Sequence, residues 1–246
     1  MIKLKKEENI YIIHLNNKPV NALSLKFVLE LSLLIDKISK QKEAKGIVFT
    51  TSLKHFCAGA DLKERSKMSN EETIDTVYMI KLLFFNIYNL PFPTISLIQG
   101  ACLGGGLELV LSCDFRFATE DATFGLPETT LGIIPGAGGT QFLPRLVGAP
   151  NAKKMIYSGK SIDSKEALKI GLIDELCKSK TIYSSAMALM NSFNLSSKIA
   201  IKSAKTSINQ GIDLDLKSSL NIEFREYIKT LDTEERKEAL KKYSTS

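Results

Sequence analysis

Residues 94–99 (Thr-Ile-Ser-Leu-Ile-Gln) run without a break into Gly100-Ala-Cys-Leu-Gly-Gly-Gly106 and then into residues 107–112 (Leu-Glu-Leu-Val-Leu-Ser). A buried β-run, a glycine stretch and a helical pattern in immediate succession point to an α/β protein, with the glycines at the carboxyl end of a strand. Other segments agree. Residues 10–15 form an apolar run ended by Asn16-Asn-Lys-Pro19, a strand followed by a turn, and residues 46–51 are a second short, β-rich strand. Ser24 can cap a helix whose apolar face includes Val28, Leu31, Leu34, Ile35 and Ile38. Ser69 with Glu72 makes a capping-box pattern before an amphipathic stretch through Ile80, Leu83, Phe84 and Ile87, which Pro91 and Pro93 end. β character returns at residues 114–118. After Ala149-Pro150 the pattern is almost wholly helical, with a second capping box at Asp163 and Glu166 and glycines 171 and 211 where helices would end. The expected organisation is an α/β core over residues 1–180 and a helical region over residues 181–246.

A chain of 246 residues can bury a substantial core, and 44% hydrophobic with 24% charged residues is ordinary for a soluble globular protein. No apolar run approaches the ~20 residues of a membrane helix. The N-terminal residues 1–8 do not resemble a secretory signal, so a cytoplasmic location is expected, or a mitochondrial one if a targeting segment was removed. Cys57, Cys102, Cys113 and Cys177 include no Cys-x-x-Cys pair and read as small buried residues. The net charge of +6 could serve a polyanion such as RNA or a small ligand carrying phosphates. The lysines are scattered, with no dense basic run and no interleaved aromatics, which favours solvated faces over a nucleic-acid groove.

Several catalytic devices are absent. His14 and His55 are the only histidines, too few for a multi-histidine metal site, and His14 sits in an apolar strand pattern. Gly159-Lys160-Ser161 resembles the end of a phosphate loop, but Lys154 stands where the first glycine is needed. The unusual concentrations are three glycine-rich segments. They are Phe56-Cys-Ala-Gly-Ala-Asp-Leu-Lys63, Gly100-Ala-Cys-Leu-Gly-Gly-Gly-Leu-Glu-Leu109 and Gly125-Leu-Pro-Glu-Thr-Thr-Leu-Gly-Ile-Ile-Pro-Gly-Ala-Gly-Gly-Thr140. Glycine lets a ligand carbonyl approach bare N–H groups, and amides opening a helix are unsatisfied donors at the positive end of its dipole. Glu108 follows Gly105 by three residues and projects from the same side of that turn. A carboxylate beside such donors suits proton chemistry next to a carbonyl. Spacing leaves a second reading equally open, in which the glycines permit tight packing and Glu108 merely favours a helix N-terminus. Glu128 follows Pro127 in an apolar, glycine-rich stretch, and is either an exposed turn residue or a carboxyl whose apolar surroundings hold its proton.

Taken jointly, Phe56-Cys-Ala-Gly-Ala-Asp-Leu-Lys63, Gly104-Gly-Gly-Leu-Glu108 and Leu131-Gly-Ile-Ile-Pro-Gly-Ala-Gly-Gly-Thr-Gln141 resemble the enoyl-CoA hydratase (crotonase) family, over roughly residues 10–243. The resemblance implies a ClpP-like spiral of ββα units with a helical C-terminal region that forms trimers, usually stacked as hexamers. It implies that the amides of Ala60 and Gly105 form an oxyanion hole. Ala60, Asp61, Leu62 and Lys63 would line the CoA site, with Lys63 near the phosphates. Glu108 and Glu128 match the acid/base pair of hydratases, so the implied activity is hydration of a 2-enoyl-CoA. No metal or redox cofactor is expected, CoA being part of the substrate. Tyr243 stands where many relatives carry a phenylalanine that reaches a neighbouring adenine pocket, although Ser244-Thr-Ser246 replaces the usual charged ending. The alternatives within the resemblance are an enoyl-CoA isomerase and an enzyme like methylglutaconyl-CoA hydratase. RNA-binding members carry lysines along the early helix, and residues 24–37 lack most of that row, which argues against RNA. A catalytically silent scaffold is the remaining alternative, and the intact glutamate pair argues against it.

Overall fold

The computed structural model describes residues 1–244. Its strands are β1 (Ile2–Glu7), β2 (Ile10–Leu15), β3 (Gly46–Thr51), β4 (Thr94–Ile98), β5 (Ala101–Leu103), β6 (Phe115–Thr119), β7 (Thr123–Gly125), β8 (Ile162–Asp163) and β9 (Glu175–Cys177). The helices are α1 (Leu25–Ser39), α2 (Leu62–Arg65), α3 (Asn70–Tyr88), α4 (Gly105–Leu111), α5 (Gly139–Ser158), α6 (Ser164–Lys169), α7 (Ile182–Ser192), α8 (Lys198–Gly211), α9 (Leu216–Ile228) and α10 (Glu234–Ser244). A 3-10 turn, Pro127–Leu131, lies between β7 and α5.

Six strands form one sheet in the order β1-β2-β3-β4-β6-β9, parallel except for the β1–β2 hairpin. The hairpin turns through Glu8 and Asn9, both with positive φ (46° and 73°), as a tight two-residue turn requires. The central strands are covered on both faces and therefore read as unbroken apolar runs. Ile13, Leu15, Ile47 and Phe49 point to α1 and α3, where Phe27, Leu31, Ile80 and Phe84 complete the larger core. Ile12, Val48, Ile95, Leu97 and Phe117 point the other way, to Ile182, Ala186 and Met190 of α7. A second, three-stranded sheet, β5-β7-β8, stands directly beyond the carboxyl end of β4.

The helix signals are realised locally. Ser24 accepts from Phe27 N at the start of α1, and the Ser69–Glu72 capping box is made in both directions. The Asp163 carboxylate accepts from Glu166 N. Leu34, expected on the buried face of α1, is only partly covered. No strand follows β9 among the described residues. Polar clamps hold α8 against the core. Lys205 Nζ donates to Asp114 Oδ2 at 2.7 Å and to Phe92 O at 3.1 Å, and Asn209 Nδ2 donates to Tyr88 O at 2.9 Å. Thr245 and Ser246 lie outside the described residues, and Tyr243 is exposed.

Candidate active site

Residues 55–61 lie between two neighbouring segments. On one side, Phe56 N and Cys57 N donate to Gln99 O and Ala101 O, and Leu103 N returns to Cys57 O. On the other, Ala58 N donates to Val20 O at 3.0 Å and Leu23 N donates to Gly59 O at 2.8 Å. A trans peptide is planar, with its C=O and N–H pointing in opposite directions. The Gly59 carbonyl is held towards Leu23, so the Ala60 N–H of the same peptide points away from Leu23, to the 103–105 side. Gly59 has φ 90°, and a Cβ there would meet Leu103 O at 2.9 Å and Gly105 N at 3.4 Å. Glycine is required here by both the backbone conformation and the approach of the second segment.

That second segment is the junction of β5 and α4. β5 feeds Gly104, whose φ of 51° turns the chain into α4. The Gly104 carbonyl accepts from Glu108 N at 3.0 Å, the first bond of the helix. By the same planarity the Gly105 N–H points out of the helix N-terminus, towards Gly59 and Ala60. Two main-chain donors from distant parts of the chain thus open side by side.

Glu108 is one turn into α4 and only 3% exposed. Its Oε1 accepts Ala137 N and Gly139 N, both at 2.8 Å, so the start of α5 is docked onto this one carboxylate oxygen. Its Oε2 lies 3.9 Å from the position of a Cβ on Gly105. Glu128 comes from the 3-10 turn, which Pro127 opens with a preset φ. Its Oε1 lies 2.8 Å from the position of a Cβ on Gly104. The two carboxyls therefore sit over consecutive glycines, whose Cα atoms are ~3.8 Å apart. Burial pushes the Glu108 carboxyl up to about 7, against the pull of its two amide donors, and the charge of Glu128 adds to the rise. Burial also raises Glu128, and its Oε2 is buried with no donor among the described residues.

The chain matches the enoyl-CoA hydratase/isomerase family model over residues 5–245. The chain belongs to this family. The Bacillus subtilis protein YngF is 41% identical over 240 residues, covering 97% of this chain and 92% of its own. Human mitochondrial methylglutaconyl-CoA hydratase is 43% identical over 225 residues, which cover 89% of this chain and 66% of that protein. The crystal structure of an enoyl-CoA hydratase from Bacillus anthracis superposes with a TM-score of 0.95 at 38% identity, covering 99% of this chain and 96% of that one. The α/β crotonase architecture expected from the motifs is the architecture found.

In this member of the enoyl-CoA hydratase/isomerase family, the fold brings Ala60, Gly105, Glu108 and Glu128 into one region. Asp61, Leu62 and Lys63 are placed differently. The Asp61 carboxylate caps α2 by accepting Lys63 N and Glu64 N, both at 3.1 Å, while Leu62 and Lys63 are exposed on that helix. The remaining chemistry-bearing residues have structural surroundings. His55 Nδ1 accepts Ala101 N at 3.0 Å, and burial pushes the Cys57 and Cys113 thiols up to about 12. The sequence marks the glycine-rich segment that carries the Ala137 and Gly139 amides, but spacing does not say which amide meets which carboxylate, so these two partners of Glu108 emerge only from the fold.

Proposed function

We propose that the chain is an enoyl-CoA hydratase that adds water reversibly to the double bond of a 2-enoyl-CoA, giving the 3-hydroxyacyl-CoA. The observation that carries this reading is the pair of raised carboxyls, buried Glu108 over Gly105 and half-buried Glu128 over Gly104, beside the outward amides of Gly105 and Ala60. Donors aimed at one carbonyl oxygen stabilise the enolate-like charge that builds when a nucleophile attacks the β-carbon, and each is worth about 3 kcal/mol or more. Glu108, pushed by burial to about 7, reacts in its ionised form, which its two amide hydrogen bonds support. Glu128, raised by burial and with no donor to its Oε2 among the described residues, reacts in its protonated form. Glu108 then takes a proton from water as the oxygen bonds to the β-carbon. The electron pair of the double bond moves onto the thioester, and Glu128 delivers a proton to the α-carbon. Proton transfer between the carboxyls, through the next water, resets the pair, so the net change is one water added.

Lys63, exposed on α2 next to the Ala60 amide, is the residue proposed to meet the CoA phosphates, with Asp61 and Leu62 lining the same approach. The C-terminal region is proposed to assemble the chain into a trimer or a dimer of trimers. Leu216, Leu220, Phe224, Tyr227 and Ile228 form an exposed apolar stripe on α9 and support this reading. The same carboxyls could instead move a proton between α- and γ-carbons, as an isomerase does. The test is purified protein with crotonyl-CoA, following loss of the conjugated-thioester absorbance, and separately with a 3-enoyl-CoA. Rapid loss on crotonyl-CoA, reduced ~10²-fold or more in both Glu108→Gln and Glu128→Gln, is expected. Unchanged rates in both variants would remove the pair from the mechanism. A panel including methylglutaconyl-CoA defines the acyl group.

A further inference from the structure

Residues 17–23 contribute no group to the reaction proposed above, yet they are bound repeatedly to the segment that carries the Ala60 amide. Besides the Ala58–Val20 and Leu23–Gly59 bonds, the Cys57 thiol donates to Asn21 O at 3.0 Å. Asn21 is the residue of this stretch whose side chain ties several loops at once. It is fully buried with φ 55°, a conformation asparagine tolerates better than most residues. Its Nδ2 lies 2.7 Å from Thr51 Oγ1, 2.9 Å from Phe56 O and 3.2 Å from His55 O, and its Oδ1 accepts Asn17 N at 2.7 Å. Leu23 completes the brace. Its amide fixes the peptide whose far end is the Ala60 N–H, and its Cδ1 lies 2.7 Å from where a Cβ on Gly105 would be. One residue thus bears on both donors.

We propose that Asn21 and Leu23 are positioning residues that set the separation and aim of the Ala60 and Gly105 amides, a role that rests on the oxyanion reading above. Both act through the backbone of other residues and neither reaches the thioester. A misplacement of ~1 Å in such a site can lower kcat by about 10².

The test uses 4-dimethylaminocinnamoyl-CoA, a conjugated thioester whose absorbance moves to longer wavelength when its carbonyl is polarised. Wild type should give a red shift on binding. Leu23→Ala and Asn21→Gly should lose most of it, with kcat on crotonyl-CoA down about 10- to 100-fold and KM changed less than about threefold. Leu31→Ala is the control for softening of the core, since Leu31 is equally buried on α1. It should lower the thermal midpoint while keeping both the red shift and kcat. Should either test variant fail to fold, Thr51→Val, which removes an acceptor of Asn21, and the volume-conserving Leu23→Met carry the same comparison. A full red shift and wild-type kcat in the folded Asn21, Leu23 or Thr51 variants would overturn the proposal. So would equal losses in Leu31→Ala. No red shift in wild type would remove the oxyanion reading itself, and the brace with it.

Discussion

Replacing Glu108 by glutamine should make the protein less active and, above neutral pH, relatively more stable. The Glu108 carboxyl moves from an ordinary 4.5 when unfolded to about 7 in the folded protein, chiefly because it is buried. That difference corresponds to about 3 kcal/mol. Because the folded form holds the proton more tightly, the folded chain keeps a proton between pH 4.5 and 7 that the unfolded chain has released. Wild-type stability should therefore fall through this window and level off above it, with no contribution from this group at lower pH. Glutamine does not ionise, yet its carbonyl oxygen can still accept the Ala137 and Gly139 amides. Urea unfolding of both proteins at fixed concentration, between pH 5 and 8, gives the difference directly. The advantage of Glu108→Gln should grow by about 2–3 kcal/mol across that range, while its kcat falls ~10²-fold or more. A stability difference that does not change with pH would refute the claim that burial holds this carboxyl's proton.

If Glu108 is the base and Glu128 the acid, kcat/KM should rise with pH to about 7 and fall again where Glu128 loses its proton, and the rising limb near 7 should vanish in the residual rate of Glu108→Gln. An acidic limb retained there would assign it to another group. Gly104→Ala forces a side chain onto a φ of 51° with its Cβ 2.8 Å from Glu128 Oε1, so kcat should fall more than ~10-fold while KM shifts little. A wild-type kcat would show that Glu128 can move without consequence. Lys63→Ala should raise KM for enoyl-CoA about 3- to 10-fold with little change in kcat, and the effect should shrink as salt rises, since an exposed lysine meeting phosphate is screened. An unchanged KM would remove Lys63 from the CoA site. Light scattering after gel filtration should give a trimer or hexamer, and Phe224→Glu on the α9 stripe should give smaller species. A monomeric wild type would contradict the assembly role proposed for the C-terminal helices.

The elements most legible in the sequence were those whose local pattern and tertiary burial agree. β2 and β3 occupy residues 10–15 and 46–51 as their patterns suggest, because strands covered on both faces are mostly apolar, with His14, Thr50 and Thr51 the polar exceptions near their carboxyl ends. The α3 cap was readable because Ser69 and Glu72 satisfy each other's backbone without help from elsewhere. β1 was not readable. It is an edge strand rich in lysine, with Lys3, Leu4, Lys5 and Lys6 exposed, and its pairing comes from β2 rather than from its own pattern. β5 and β7 are three residues each, too short to show a period, and their sheet exists because the 100–103 and 123–125 segments are brought together by elements around them. In the site, the glycine segments and both glutamates stood out as residue types. What could not be read was aim: that the Gly59 carbonyl turns to Leu23, or that Ala137 and Gly139 close on Glu108 rather than Glu128. Those facts depend on contacts between segments dozens of residues apart.

The most direct measurement is a crystal structure of the protein with an unreactive acyl-CoA thioester bound. The thioester oxygen should lie ~2.7–3.1 Å from both Ala60 N and Gly105 N, a range set by what oxyanion donors require. The carboxyls of Glu108 and Glu128 should face the α- and β-carbons from one side of the acyl chain. A thioester carbonyl held elsewhere, or carboxyls on opposite sides of the acyl chain, would contradict paired-glutamate hydration in this protein.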